Sequence, residues 1–345
     1  MIFCVLGCIF LLIKLININR SLYELIMGIQ YLNKYLIMNC GNSIRRITLD
    51  ELRNKKIAID ISIYMYDYKS RGDLVEFIYK MVIELISRDI TPVFVFDGKP
   101  PPEKKLLLAK RRREKNEAYC EIETLNKLIE STTPHSSEYE EISTKLVSLK
   151  KRTTRITHDD IIAVKTLFRL CGVTYYDACG EADALCAKLV SKNLVWACMS
   201  DDMDMFLYGC TRILRNYSLF NNTIVLYETK KILDSLNITM CNFREVCVVS
   251  GTDYNYNESR KANIYRSFAY YKQFVDERKD ENFYQWLNKN TNYIDDYCSL
   301  CVSYLMFDIS GLDIEKYNNM PIRNGPINKE QLIRFLEKHN FIYIR

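Results

Sequence analysis

Seven carboxylates in this chain sit where a parallel sheet could converge them on one point. Asp60 ends the apolar run Ile57-Ala58-Ile59, Asp97 ends Val93-Phe94-Val95-Phe96, and Asp202 and Asp204 follow Val195 to Met199. Glu181 and Asp183 open a helical stretch after Val173 to Tyr176, and Asp253 follows Val246 to Val249. Acids gathered this closely repel one another and take up protons unless a counter-charge is supplied. Oxygen-only ligands with no His or Cys beside them select Mg²⁺, with Mn²⁺ as a substitute, over zinc. The chemistry such a set serves is two-metal phosphodiester hydrolysis, with ions about 4 Å apart activating a water and stabilising the leaving oxygen. One strand-end Asp is ordinary, because Asp is common where a strand turns into a loop. Five recurrences along one chain are not.

The runs that carry these acids are short and β-branched, as a sheet buried on both faces requires, and ligands of parallel sheets lie at the carboxyl ends of the strands. From Ile57 the order reads strand, helix, strand, long helical insertion, helix, strand, helix, strand, and Val246 to Val249 reads as one more buried run of the same kind. This alternation predicts an α/β fold with a doubly wound, mostly parallel sheet. Leu74 to Ser87 has helical spacing, as has Ile161 to Cys171, and Lys329 to His339 reads as a terminal amphipathic helix. Gly98 to Pro102 breaks the chain after the Asp97 strand, because three prolines can neither continue a strand nor enter a helix interior. The segment from Glu103 to about Thr157 has few core-forming residues, with a loop at Ser131 to Ser137, and predicts two helices projecting from the sheet.

The composition, 48% hydrophobic and 26% charged over 345 residues, is that of a soluble globular protein able to bury a sizeable core. The net charge of +5 is modest, but Lys104, Lys105, Lys110, Arg111, Arg112, Arg113 and Lys115 crowd one segment, with Lys150, Lys151, Arg152 and Arg155 forming a second cluster. An isolated run of this kind is usually a solvated helix face. Here both clusters lie between the acids at Asp97 and Glu181, an arrangement suited to a polyanion. Thirteen scattered cysteines, mostly within apolar runs, imply an intracellular reducing compartment, and the lone pair Cys298 and Cys301 reads as two core thiols rather than a zinc site. Met1 to Ile13 is apolar but too short to span a bilayer and lacks a basic leader, so no membrane association is expected unless Leu15 to Ile18 extend the run.

With the acids in place, the local sequences resemble the flap endonuclease family of structure-specific 5′ nucleases. Met27-Gly28-Ile29-Gln30 is similar to that family's starting tetrapeptide, Ile57 to Asp60 with Ser62 and Tyr64 to its first metal-binding strand, and Val95-Phe96-Asp97-Gly98-Lys99-Pro100-Pro101 to its signature. Glu181-Ala182-Asp183-Ala184, Asp201-Asp202-Met203-Asp204 and Ser250-Gly251-Thr252-Asp253 resemble its later blocks. The resemblance implies a PIN-like fold and one nuclease domain over residues 27–345. Within it lie an N-terminal region over 27–130, a helical arch over 103–157, an internal region over 158–255 and a helical C-terminal region over 256–345, with residues 1–26 an extension outside the native protein.

The resemblance also implies roles. Asp60, Asp97, Glu181, Asp183, Asp202, Asp204 and Asp253 would bind two Mg²⁺ ions, with Glu181 and Asp253 also near the DNA. Lys104 and Arg111 would place and charge-stabilise the scissile phosphate, the alternative being generic phosphate contacts. Tyr66 would stack on the nucleobase beside the cut, the alternative being a core aromatic, and Gly28 and Gly251 would lie close to DNA. The activity implied is that of a Mg²⁺-dependent 5′ flap endonuclease and 5′ to 3′ exonuclease on branched or flapped DNA in replication, repair or recombination. It would be a monomer in the nucleus, or at a cytoplasmic replication site if the AT-rich residue usage is that of a large DNA virus. A gap- or junction-resolving nuclease and an idle DNA-binding scaffold are the alternatives. Three departures bear on substrate grip: only Lys69 to Asp73 where relatives carry a longer loop, Asn263-Ile264-Tyr265 where they carry a glycine turn that binds K⁺, and no sliding-clamp motif, since Gln331 to Leu336 carries Arg334 where an apolar residue is required. With the turn glycines replaced, Arg260, Lys261 and Arg266 would carry the grip on duplex phosphates.

Overall fold

A computed structural model describes residues 28–134, 136–256, 262–277, 281–318 and 321–341. The proposed extension over 1–26, Met27, Arg260 and Lys261 lie outside these described residues. In chain order the elements are α1 (Leu32–Asn39), β1 (Ile44–Thr48), β2 (Lys56–Asp60), α2 (Ile61–Ser70), α3 (Leu74–Ser87), β3 (Thr91–Phe96), α4 (Lys105–Ser131), α5 (Ser137–Thr153), α6 (His158–Leu170) and β4 (Thr174–Asp177). There follow α7 (Ala182–Ser191), β5 (Ala197–Met199), β6 (Arg212–Ser218), β7 (Thr223–Glu228), α8 (Thr229–Leu236) and α9 (Met240–Ser250). The C-terminal region adds α10 (Ile264–Glu277), α11 (Phe283–Asn290), α12 (Tyr297–Leu305) and, packed back on α6, α13 (Lys329–Lys338).

The strands form one seven-stranded sheet in the order β1-β7-β6-β5-β2-β3-β4. Strands β4, β3, β2, β5 and β6 are parallel, and β7 and β1 add an antiparallel edge, so the sheet is mixed and mostly parallel. Alternation along each strand fills both faces: Ala58, Val93 and Val95 enter the core under α7 and α9, while Ile57, Ile59, Phe94 and Phe96 enter the core under α2, α3 and α6. Phe94 stacks on Phe168 of α6 at 4.0 Å between ring centroids, and burial of each such side chain is worth about 2–3 kcal/mol.

Two expectations fail here. Val246 to Val249 is not a strand but the buried end of α9, whose start is capped by the Thr239 hydroxyl accepting from the Asn242 N–H. A short apolar run has no period that separates a buried helix from a buried strand. Cys298 on α12 is exposed and so is not a core thiol, whereas Cys301 is half-buried and packs against the core. The described cysteines are all free thiols. Helices α4 and α5 form the projecting hairpin and carry a small core of their own: Ala118, Leu125, Ile142, Leu146 and Leu149. Among the described residues no helix is long and apolar enough to cross a membrane.

Candidate metal and phosphate site

The strand order reverses between β2 and β5, since the chain winds outward to β3 and β4 on one side and to β6 on the other. The crevice beyond the carboxyl ends at such a switch point is where open α/β sheets bind ligands. Asp60 ends β2 there and caps α2, accepting the Ser62 N–H at 3.0 Å. Ser200, at the end of β5, is fully buried and makes long contacts from its hydroxyl to Asp60 (3.5 Å) and Asp183 (3.4 Å). Asp202 in turn caps the short helical turn after β5, accepting the Asp204 N–H at 2.8 Å.

Asp97, at the end of β3, accepts the Ser62 hydroxyl at 2.6 Å and the Ala182 N–H at 2.9 Å, joining the β2 end to the start of α7. Gly98 makes this junction possible, because a Cβ there would stand 2.2 Å from the Ala178 carbonyl oxygen. Glu181 is the N-cap position of α7 and Asp183 lies in its first turn, where the helix dipole favours negative charge. Gly251 ends α9 with φ 116°, a conformation that favours glycine, and the turn delivers Asp253, 7% exposed, to the same place.

Gly28 closes the site from the N-terminal side. With φ +66°, its missing Cβ would lie 2.5 Å from an Asp202 carboxylate oxygen and 2.9 Å from one of Asp204. The acids are thus electrostatic neighbours beyond one end of the sheet without converging on a single point, with Asp97 at the exposed rim, Asp60 and Asp204 buried, and Gly28 against Asp202 and Asp204.

The cations arrive from the arch. The Lys104 ammonium lies 2.5 Å from Glu181 and 3.5 Å from Asp253, and Arg111, one and a half turns into α4, reaches Asp253 at 3.1 Å. Burial alone lowers the Lys104 pKa, but Asp253 and Glu181 outweigh it and hold the ammonium above its ordinary value. Tyr66, on α2, is 42% exposed and so is not a core aromatic; the Lys115 ammonium lies 5.4 Å from its ring centroid. Lys115, which donates to the Thr154 carbonyl, has its pKa lowered by burial and then by Arg155 and Arg111. Tyr66 and Lys115 thus lie side by side, with Arg111 and Arg155 near both.

The sequence reading missed Ser200, Tyr208 and Tyr254. Tyr254 donates to Glu181 and shares a 2.5 Å hydrogen bond with Tyr208. Only adjacency to the Asp253 block could have drawn attention to it. In the C-terminal region, the Asn263 carbonyl accepts from Tyr293 (3.2 Å) and Ser267 (3.1 Å), and Tyr265 packs against Tyr35. Arg266 is exposed and stacks on Tyr293 at 5.4 Å. Leu332 and Leu336 of α13 are buried in the core, 4% and 0% exposed, rather than displayed to a partner.

The pKa values of four acids are raised, each first by burial: Asp60 next by Asp97, Asp183 by Asp60, Asp202 by Asp253, and Asp204 by Asp202. One oxygen of Asp204 is buried without a hydrogen-bond partner. A donor set of carboxylate oxygens under mutual repulsion, with one oxygen left over, fits a hard divalent cation. Among the described residues no three acidic, His or Cys side chains close around one ion-sized point as they stand. Lys104 lies against Glu181 and Asp253, while Ser62 and the Ala182 N–H hold Asp97.

Residues 27–118 match the XPG N-terminal domain and residues 172–253 match the XPG I-region. Flap endonuclease 1 of Glycine max is 34% identical over 247 residues, which are 66% of this chain and 62% of that protein, so the chain matches less than two thirds of the relative's length. Among solved structures, the catalytic core of Rad2 in complex with DNA substrate superposes with a TM-score of 0.65 at 22% identity, covering 90% of this chain and 95% of that one. Flap endonuclease-1 from Methanococcus jannaschii gives 0.60 at 24%, covering 88% and 93%. The fold is thus the PIN-like fold of these nucleases, and the chain belongs to the XPG and flap endonuclease family.

Proposed function

We propose that this chain is a Mg²⁺-dependent, structure-specific 5′ nuclease that hydrolyses phosphodiesters of branched or flapped DNA, by flap endonuclease and 5′ to 3′ exonuclease cleavage. The observation that carries the reading is the meeting, at the sheet's switch point, of acids from five segments with Lys104 and Arg111 of the arch. Asp60, Asp97, Glu181, Asp183, Asp202, Asp204 and Asp253 would hold two Mg²⁺ ions, with Mn²⁺ as a substitute. Ions bound there supply Lewis acidity and the acidification of an attacking water.

The chain's own residues do the rest. Lys104 and Arg111 lie against Glu181 and Asp253, so a phosphate entering the site competes with those acids for both cations. Cations held at a developing phosphorane lower the barrier more than the same charges free in water. Tyr66 offers its exposed ring to the base beside the cut, and Lys115 and Arg155 steer the backbone past it. Gly28 lets the main chain approach the phosphate without a side chain in the way. The protein would act as a monomer in replication, repair or recombination, within a reducing intracellular compartment.

The stretch Asn263-Ile264-Tyr265, where the resemblance implies a glycine turn, favours a second reading within the family, a preference for gaps or junctions over flaps. Incubating purified protein with end-labelled flap, nick, gap and four-way substrates in Mg²⁺ tests both. Flap products cut near the branch support the first reading and gap or four-way products the second. Absence of cleavage on all four would overturn both.

A further inference from the structure

Tyr254 follows Asp253 directly, and its side chain lies beneath the site, 6% exposed. Its hydroxyl donates to one carboxylate oxygen of Glu181, while the other oxygen of Glu181 takes the Lys104 ammonium at 2.5 Å. The same ammonium lies 5.0 Å from the centroid of the Tyr254 ring. One tyrosine therefore touches both an acid of the proposed metal set and the arch cation that faces it. A carboxylate can only accept, so Tyr254 spends its proton on Glu181, and the 2.5 Å bond between the two hydroxyls must be donated by Tyr208. Tyr208 is itself 4% exposed, and both rings pack against Phe307 at 5.0 Å between centroids. The hydroxyl of Tyr254 is thereby left one direction to point.

We propose that Tyr254, aimed by Tyr208, is a positioning residue that fixes the Glu181 carboxylate and the Lys104 ammonium in a single arrangement. The part concerning metal affinity rests on the metal reading above. Groups that orient a metal's ligands typically cost ~10- to 100-fold in affinity when removed. Tyr254→Phe keeps the ring, its packing on Phe307 and its contact with Lys104, and loses only the hydroxyl. Mn²⁺ affinity measured by electron paramagnetic resonance, without DNA or turnover, should weaken ~10-fold in Tyr254→Phe. A smaller loss is expected in Tyr208→Phe, where Tyr254 keeps its bond to Glu181. In the metal-free full chain, the Lys104 ammonium signal in ¹H–¹⁵N spectra should be sharp, because Glu181 holds it. It should broaden in Tyr254→Phe as Glu181 is released.

Where the parent protein binds Mn²⁺, an unchanged affinity in Tyr254→Phe overturns the proposal, and so does an unchanged Lys104 signal. If the parent binds no Mn²⁺, the metal reading falls, and the Lys104 signal still decides whether Tyr254 positions the pair. Tyr208→Phe leaves the Tyr254 ring untouched, and so guards against an effect of altering that ring itself. A Lys104 signal that broadens in Tyr254→Phe with Tyr208→Phe lying between it and the parent supports the relay.

Discussion

The acids and the cations of the site rest on foundations of unequal depth. Asp60, Asp202 and Asp204 grow from strands β2 and β5 in the middle of the sheet, with apolar side chains packed on both faces and backbone N–H groups fixing Asp60 and Asp202. Lys104 and Arg111 stand at the foot of a hairpin whose own core is five buried residues. The sheet side can bear the repulsion of its carboxylates because so much buried surface opposes it. The arch side has a small core separate from that of the sheet and meets the acids through ion pairs. Under the proposed function such a division would suit a polyanionic substrate, with the arch contributing the cations for phosphate and the sheet holding the acids.

The sheet side breaks most completely at Asp202. Asp202→Ala should lower single-turnover cleavage by at least ~100-fold, or roughly 2.7 kcal/mol of transition-state stabilisation. The melting temperature of the metal-free protein should hold or rise, because burial and Asp253 already oppose the ionised form of this carboxyl. A turnover close to the parent's would remove Asp202 from the reacting centre.

Much of the sheet side was legible in the sequence, for a physical reason. Asp60 and Asp97 end runs that must be buried on both faces, and such runs are short, apolar and β-branched wherever they occur. Helix α3 fell where its periodicity put it, at Leu74–Ser87. Strand β6 escaped notice because Arg212–Ser218 interleaves Arg, Asn and Ser with its apolar residues, and a register shift lies between Arg215 and Ser218. Arg215 is nonetheless fully buried, against the Tyr227 ring. Tyr254 was illegible for another reason: its partner Glu181 is 73 residues away, and no local pattern encodes a contact at that separation.

On the arch side, Arg111→Ala and Lys104→Ala should each lower the single-turnover rate by ~10- to 100-fold while leaving DNA affinity nearly unchanged. A plain phosphate anchor behaves otherwise, weakening affinity and flattening its salt dependence by about one unit of slope per contact. Binding measured against salt beside the rate separates these cases. Equal losses in affinity and rate would make the two residues anchors, and the chemistry would then rest on the sheet alone.

A gentler test loosens the arch without touching the site. Leu146, 6% exposed, packs in the hairpin core, and Leu146→Ala should cost about 2–4 kcal/mol locally. Hydrogen-exchange protection should fall in α4 and α5 and stay as it was in β2, β3 and β5. The cleavage rate should drop by less than in Arg111→Ala, since the cations remain but are held for less of the time. Equal loss of protection across sheet and arch would show that the two regions unfold together.

The smallest effect separates burial from mutual repulsion as the cause of a raised carboxyl pKa. Asp204 is raised by burial and then by Asp202, whereas Glu245, on α9 away from the site, is raised from 4.5 to about 7 by burial alone. The folded chain holds the Glu245 proton more tightly than the unfolded chain does, so its contribution to stability is complete below pH 4.5 and is lost as the pH rises through about 7. Glu245→Gln cannot ionise and should escape that loss. The variant and the parent should melt together near pH 4.5, and the variant should melt higher at pH 8, by roughly 2 °C once the partial exposure of Glu245 is allowed for. Calorimetry across that range measures the gap directly. A gap that stays constant with pH would mean that Glu245 ionises as freely in the folded chain as in the unfolded one, and that burial on the C-terminal side of the molecule is too shallow to move a carboxyl by itself.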